Sequence, residues 1–150
     1  MDNHEYYMRL ALEEANRAFI KKEVPIGAIV VKDGIIIAKA YNLKESLQDP
    51  TAHAEILAIK RAVQVLGGWR LEGCTLYVTV EPCPMCAGAL VQARVSKLIY
   101  GTADSKGGAA GTLFNIVTDE RLNHRLDVET GVLEEECSQI MKDFFKKLRQ

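Results

Sequence analysis

Thr75-Leu76-Tyr77-Val78-Thr79-Val80-Glu81-Pro82-Cys83-Pro84-Met85-Cys86 is the stretch on which the fold turns. Its first half, Thr75 to Val80, alternates as a buried strand does and is rich in β-branched and aromatic residues. Glu81-Pro82-Cys83-Pro84 then opens a helix, because proline's fixed φ suits a first helical turn. Ala87 to Ala93 continues that helix, and Lys97 to Tyr100 reads as the next short strand. Strand, helix and strand in succession argue a layered α/β domain.

Upstream, Tyr7, Leu10, Ala11, Ala15, Ala18 and Phe19 recur at threes and fours, which predicts a packing helix from Glu5 to about Lys21. Ile26 to Lys32 and Ile35 to Tyr41 are strand-like runs joined by Asp33-Gly34, a hairpin turn signal. Asn42 to Gln48 is a polar connection. Asp49-Pro50-Thr51 marks a helix start, with Thr51 or Asp49 as cap, and Gly67-Gly68 its end. Trp69 to Gly73 is a link.

Downstream, Gly101 to Gly111 is a loop of glycines and small residues, and Asn115 to Asn123 fits a short helix. Arg125 to Val128 fits a last strand, turning at Gly131. Leu133, Cys137, Ile140, Met141, Phe144, Phe145 and Leu148 line one side of a final amphipathic helix.

The 150 residues suit one domain, 1–150, with no repeat or linker. A net charge of −1 leaves no global positive field, so contact with a polyanion needs a local basic patch. One candidate is the end of the last helix, where Lys142, Lys146, Lys147 and Arg149 face only Asp143. The same lysines also suit a solvated helix C-terminus. No apolar run reaches the roughly 20 residues of a membrane span. Met1 to Glu5 is polar and acidic, unlike a secretion signal, so a cytoplasmic location is expected.

Cys83 and Cys86 form a Cys-x-x-Cys pair on a helix start, so their sulfurs share one face, where positive helix-end potential favours thiolates. Thr51-Ala52-His53-Ala54-Glu55 places a histidine and a glutamate at the start of another helix. In a first turn, side chains two apart can both reach over the open end, so the site belongs where two helix N-termini meet. His53, Cys83 and Cys86 would give zinc three ligands and leave a fourth position open, the pattern of a catalytic centre. Glu55 is then free to move protons. Hydrolytic removal of an amino group from C6 of adenine or C4 of cytosine fits this set. Two other readings stand beside it. A structural zinc site would need a fourth ligand from Cys74, Cys137, His4 or His124, none at a finger-like spacing. A thioredoxin-like dithiol leaves His53 and Glu55 unexplained.

His-x-Glu followed by Pro-Cys-x-x-Cys resembles the signature of the zinc-dependent nucleoside and nucleobase deaminases. The likeness extends to Glu23-Val24-Pro25-Ile26-Gly27-Ala28, Asp49-Pro50-Thr51-Ala52, Leu76 to Glu81, Ala87-Gly88-Ala89, Gly108-Ala109-Ala110-Gly111, Asn123-His124-Arg125 and Asp143-Phe144-Phe145. Together these resemble the tRNA-specific adenosine deaminase branch. The resemblance implies a cytidine-deaminase-like three-layer α/β/α sandwich around a five-stranded mixed sheet. It implies one zinc ion per subunit, a homodimer, and a tRNA anticodon stem-loop whose wobble adenosine becomes inosine. The runner-up is a small-molecule deaminase of guanine, cytosine or a nucleotide. By the same resemblance, Asn42 contacts the flipped nucleoside and Val24, Pro25 and Ile26 form the pocket wall. Asp104 and Lys106 then lie near the substrate backbone, and Asn123 and Phe145 near the anticodon bases. Ala103 stands where relatives of that branch carry arginine, so one phosphate contact is missing.

Overall fold

The computed structural model describes residues 3–150; Met1 and Asp2, part of the polar start read against a secretion signal, lie outside the described residues. Helix α1 (His4–Ile20) leads into a hairpin of β1 (Gly27–Lys32) and β2 (Ile35–Tyr41), as the sequence predicts. A short helix α2 (Lys44–Leu47) and the longer α3 (Ala54–Leu66) follow. Then come β3 (Cys74–Val80), α4 (Pro84–Gln92), β4 (Lys97–Thr102), β5 (Asp127–Thr130) and α5 (Glu134–Leu148).

The five strands form one sheet in the order β2-β1-β3-β4-β5. β1 runs antiparallel to both β2 and β3, whereas β3, β4 and β5 are parallel. The sheet is therefore mixed. Strand periodicity sorts the side chains onto two faces, and both are covered. Ala28, Val30, Leu76, Val78 and Leu98 pack against α3 and α4 through Ala54, Ala58, Ala62 and Leu90. Ile29, Val31, Tyr77 and Ile99 face α1 and α5 through Tyr7, Met8, Ala11 and Cys137. Burial on both sides explains why the central strands read as nearly unbroken apolar runs. Gly27 is where α1 comes closest to the sheet: a Cβ there would overlap the Ala11 carbonyl.

Four boundaries differ from the sequence reading. α3 begins at Ala54, not at Asp49 or Thr51. The Asp49 Oδ1 instead accepts from the Thr51 amide at 2.8 Å and its hydroxyl at 2.7 Å, closing a turn ahead of the helix. The Asn115–Asn123 stretch is not helical. It is a chain of turns, with Asn115 bridging to Ala110 and Val117 fully buried in the core. The last strand is shifted to Asp127–Thr130, set by pairing of Asp127 with Lys97 and Thr130 with Tyr100. Arg125 stays outside it and bonds the Glu120 carbonyl at 2.9 Å. Finally, the polar connection after β2 contains α2, which a distant side chain holds. No described helix is long and apolar enough to cross a membrane.

Candidate active site

β3 and β4 are parallel, so their C-terminal ends emerge at one edge of the sheet. β1 is antiparallel to β3, so its N-terminal end opens at the same edge. The chain segments leaving these ends are Glu81-Pro82-Cys83, Ala103-Asp104 and, entering β1, Val24-Pro25-Ile26. Open α/β sheets place ligands at this kind of edge.

His53 occupies the N-cap of α3 (φ −77°, ψ 154°) and Cys83 the N-cap of α4 (φ −73°, ψ 173°). Neither side chain caps its own helix. Both are free to turn toward one another, and they do. The His53 Nδ1 lies 3.7 Å from the Cys83 Sγ and 3.5 Å from the Cys86 Sγ. Among the described residues, these three form the group able to hold a metal ion. Zinc bonds of about 2.0–2.3 Å at a tetrahedral angle separate neighbouring nitrogen and sulfur ligands by about 3.6 Å. The observed spacings match that edge length, so the donor set fits zinc. Cys74, Cys137, His4 and His124 stand apart from the cluster. His124 bonds the Val95 carbonyl at 2.7 Å and His4 the Tyr77 hydroxyl at 2.8 Å. A four-ligand structural site is thereby disfavoured.

Glu55 is buried one residue inside α3 and lines the same cavity as His53 and Cys83. Burial pushes its carboxyl up to about 7, against the opposing pull of its helix-end amide and the His53 ring. The Cys83 thiol is pulled down to about 4, chiefly by the thiol of Cys86 and also by His53. Cys86, the donor of that pair and buried, is shifted upward.

The cavity above them measures about 750 Å³. Val24 and Ile26 form one wall, Ala103, Asp104, Ser105 and Lys106 another, and α5 with its C-cap contributes Lys142, Phe145 and Arg149. Of the residues expected at the substrate, Val24, Ile26, Asp104, Lys106 and Phe145 thus meet in one place. Pro25, Asn42 and Asn123 are not among the lining residues. Pro25 is buried and Asn123 exposed. Asn42 is 6% exposed, donates to the Val24 carbonyl at 3.3 Å and accepts from the Lys44 amide at 3.2 Å. It therefore braces the wall from behind. Asp104 also has internal work: its Oδ1 accepts from the amides of Lys106 and Gly107 at 3.0 and 3.2 Å. Phe144 and Phe145 divide as a helix periodicity demands. Phe144 is buried edge-on against Phe19, while Phe145 faces the cavity.

Sequence reasoning missed two buried carboxylates. Glu81 lines the cavity, and Glu23, 1% exposed, stands directly before the cavity-lining Val24. Glu23 accepts from the amides of Glu45 at 3.0 Å and Ser46 at 2.5 Å, so it caps α2 across more than twenty residues of chain. An acidic residue standing just before an apolar strand start was the available signal. Burial alone would raise the Glu23 carboxyl, but the Ser46 hydroxyl, the Ser46 and Glu45 amides and the nearby Lys44 more than offset it, and it lies below its ordinary value of 4.5. A carboxyl depressed on folding stabilises the native state above its unfolded value, and that contribution is lost as pH falls through the folded value. Glu23→Gln is therefore expected to cost about 1.5–3 kcal/mol at neutral pH. The gap from wild type should begin to narrow below about pH 4.5, the ordinary carboxyl value, and close once the pH falls through the lower folded value. Denaturant titrations at neutral and acid pH check this; an equal loss at both would mean that charge plays no part.

Sheet order, covered faces and a His/Cys/Cys cluster beside a buried glutamate define the cytidine-deaminase-like class of α/β enzymes. Residues 2–149 match the family model described as MafB19-like deaminase. The chain is 55% identical over 150 residues to the tRNA-specific adenosine deaminase of Bacillus subtilis, covering 100% of this chain and 93% of that protein. It is 54% identical over 145 residues to that of Aquifex aeolicus, covering 97% and 95%. A structure solved in studies of A-to-I editing by tRNA:A34 deaminases at the wobble position of transfer RNA matches with a TM-score of 0.87. That match has 46% identity and covers 90% of this chain and 98% of the other. A guanine deaminase from Nitrosomonas europaea matches at 0.81 and 25% identity, over 93% and 83%. The chain belongs to the tRNA-specific adenosine deaminase family.

Proposed function

We propose that the chain, as one deaminase domain over 1–150, converts the wobble adenosine of a tRNA anticodon to inosine by hydrolysis, with release of ammonia. One observation carries this reading: a buried carboxylate lines a cavity together with His53 and Cys83 of the His/Cys/Cys cluster, and Lys106, Lys142 and Arg149 border it. His53, Cys83 and Cys86 would hold the zinc. Bound zinc supplies Lewis-acid activation of water near neutral pH, the known chemistry of zinc-dependent deaminases.

The chain's own residues do the rest. Glu55 takes a proton from the attacking water and delivers one to the departing amine. Val24 and Ile26 offer apolar contact to a base drawn out of its stack, and Phe145 offers a ring face for a neighbouring base. Lys106, Lys142 and Arg149 draw phosphates to the cavity, although the protein as a whole is slightly acidic.

The reading includes a homodimer and a cytoplasmic location. Ile59, Val63 and Ala89 line a shallow apolar groove between α3 and α4 beside the exposed Trp69, which suits a second copy of the chain. Sedimentation tests that part.

Incubation of the zinc-loaded protein with an anticodon stem-loop carrying a wobble adenosine, and separately with free bases and nucleosides, tests the activity. Inosine is expected in the RNA alone. Turnover of free guanine or cytosine in its place would overturn the assignment in favour of a small-molecule deaminase.

A further inference from the structure

The loop between β4 and β5 forms one wall of the cavity, yet its 103–112 portion has no regular secondary structure of its own. Asp104 bonds two amides within it, and one buried side chain from outside ties its ends together. Glu81 follows β3 directly, and its own amide extends the sheet by donating to the Thr102 carbonyl at 2.9 Å. Its carboxylate is only 3% exposed. Oε1 accepts from the Asp104 amide at 3.1 Å and from the Thr112 hydroxyl. Oε2 accepts from the amides of Ala110 at 3.0 Å and Thr112 at 3.1 Å. The donors come from both ends of the loop, so one carboxylate closes it. A Cβ on Gly108 would overlap that carboxylate, so the loop passes it at a distance only glycine allows. The Ala109 amide adds a bond to the Pro82 carbonyl at 2.9 Å, next to Cys83.

We infer that Glu81 is a positioning residue: it fixes the 103–112 loop as a rigid wall at a set distance from the metal ligands, and so governs how tightly the RNA is held. The inference rests on the function proposed above for the identity of the substrate, but not for the state of the loop. Glu81 does not move protons. Its chemistry is to satisfy four donors that would otherwise be unpaired in a half-buried loop. An amide at this position would turn an NH₂ group toward N–H donors and release part of the loop.

Two measurements on Glu81→Gln test this. Amide hydrogen exchange without substrate is expected to quicken at least about tenfold at Asp104, Ala110 and Thr112, corresponding to about 1.4 kcal/mol of lost protection. Steady-state kinetics on the stem-loop should show KM raised roughly tenfold, kcat within about threefold of wild type, and zinc still bound at one per chain. Unchanged exchange would overturn the inference. So would lost zinc, or a fall in kcat at constant KM. Should Glu81→Gln fail to fold, Thr112→Val removes a single donor at an exposed position. It should raise exchange and KM in the same direction, and no change in either would equally refute the idea. A wild-type protein inactive on RNA would refute the proposed function, while the exchange result would still decide the loop.

Discussion

Replacing Glu55 by alanine is expected to leave a folded protein that takes up one zinc ion but deaminates RNA about 10²–10⁴-fold more slowly, the usual contribution of a positioned general acid–base. The residue is placed for this work by burial and by its neighbours, not by any share in metal binding. It sits one residue inside α3, fully enclosed, and lines the same cavity as His53 and Cys83. A buried carboxylate costs stability when charged, so its loss should not unfold the protein. Metal analysis and single-turnover kinetics on the variant separate the two roles. Wild-type turnover with zinc bound would remove Glu55 from proton transfer; loss of zinc would make it a ligand or a support for one.

Cys86→Ala is expected to abolish both metal uptake and turnover. Cys86 is fully buried on the inner side of α4, and its sulfur is 3.5 Å from the His53 ring nitrogen. Loss of a direct ligand should weaken zinc binding by more than the 10–100-fold typical of losing a supporting contact. A chelator acting on wild type should produce the same loss of turnover, reversed by added zinc. Equilibrium dialysis with zinc and the stem-loop assay check both arms. Full activity of Cys86→Ala, or of chelated protein, would remove the metal from the account.

The meeting of His53, Cys83 and Cys86 was legible in the sequence because its physics is local. Each half needs a helix start; proline at 84 marks one, while Asp49-Pro50-Thr51 announced the other a few residues before Ala54, where α3 begins. The sheet was legible because its central strands, β1, β3 and β4, are buried on both faces and read as apolar runs. What the sequence withheld depends on contacts across the chain. α2 exists because Glu23 caps it from another segment, and no window around Lys44–Leu47 contains that information. The 115–123 stretch has Ile116 and Val117 packed inward without a repeating apolar face, so composition suggested a helix that packing did not build. The end of β5 was set by its partner β4, and strand pairing overrides local pattern at an edge. Asn42 resembled a substrate contact, while the fold gives its side chain two backbone partners.

Histidine at 53 and cysteine at 83 carry an implication for durability. Each stands at a position where serine, threonine or aspartate would ordinarily satisfy an orphan amide, a substitution worth about 0.5–2 kcal/mol. The molecule forgoes that gain twice, in the two helices whose N-termini border the cavity. A version redesigned solely for heat tolerance would fill both positions with capping residues, and would survive warming better as an inert shell.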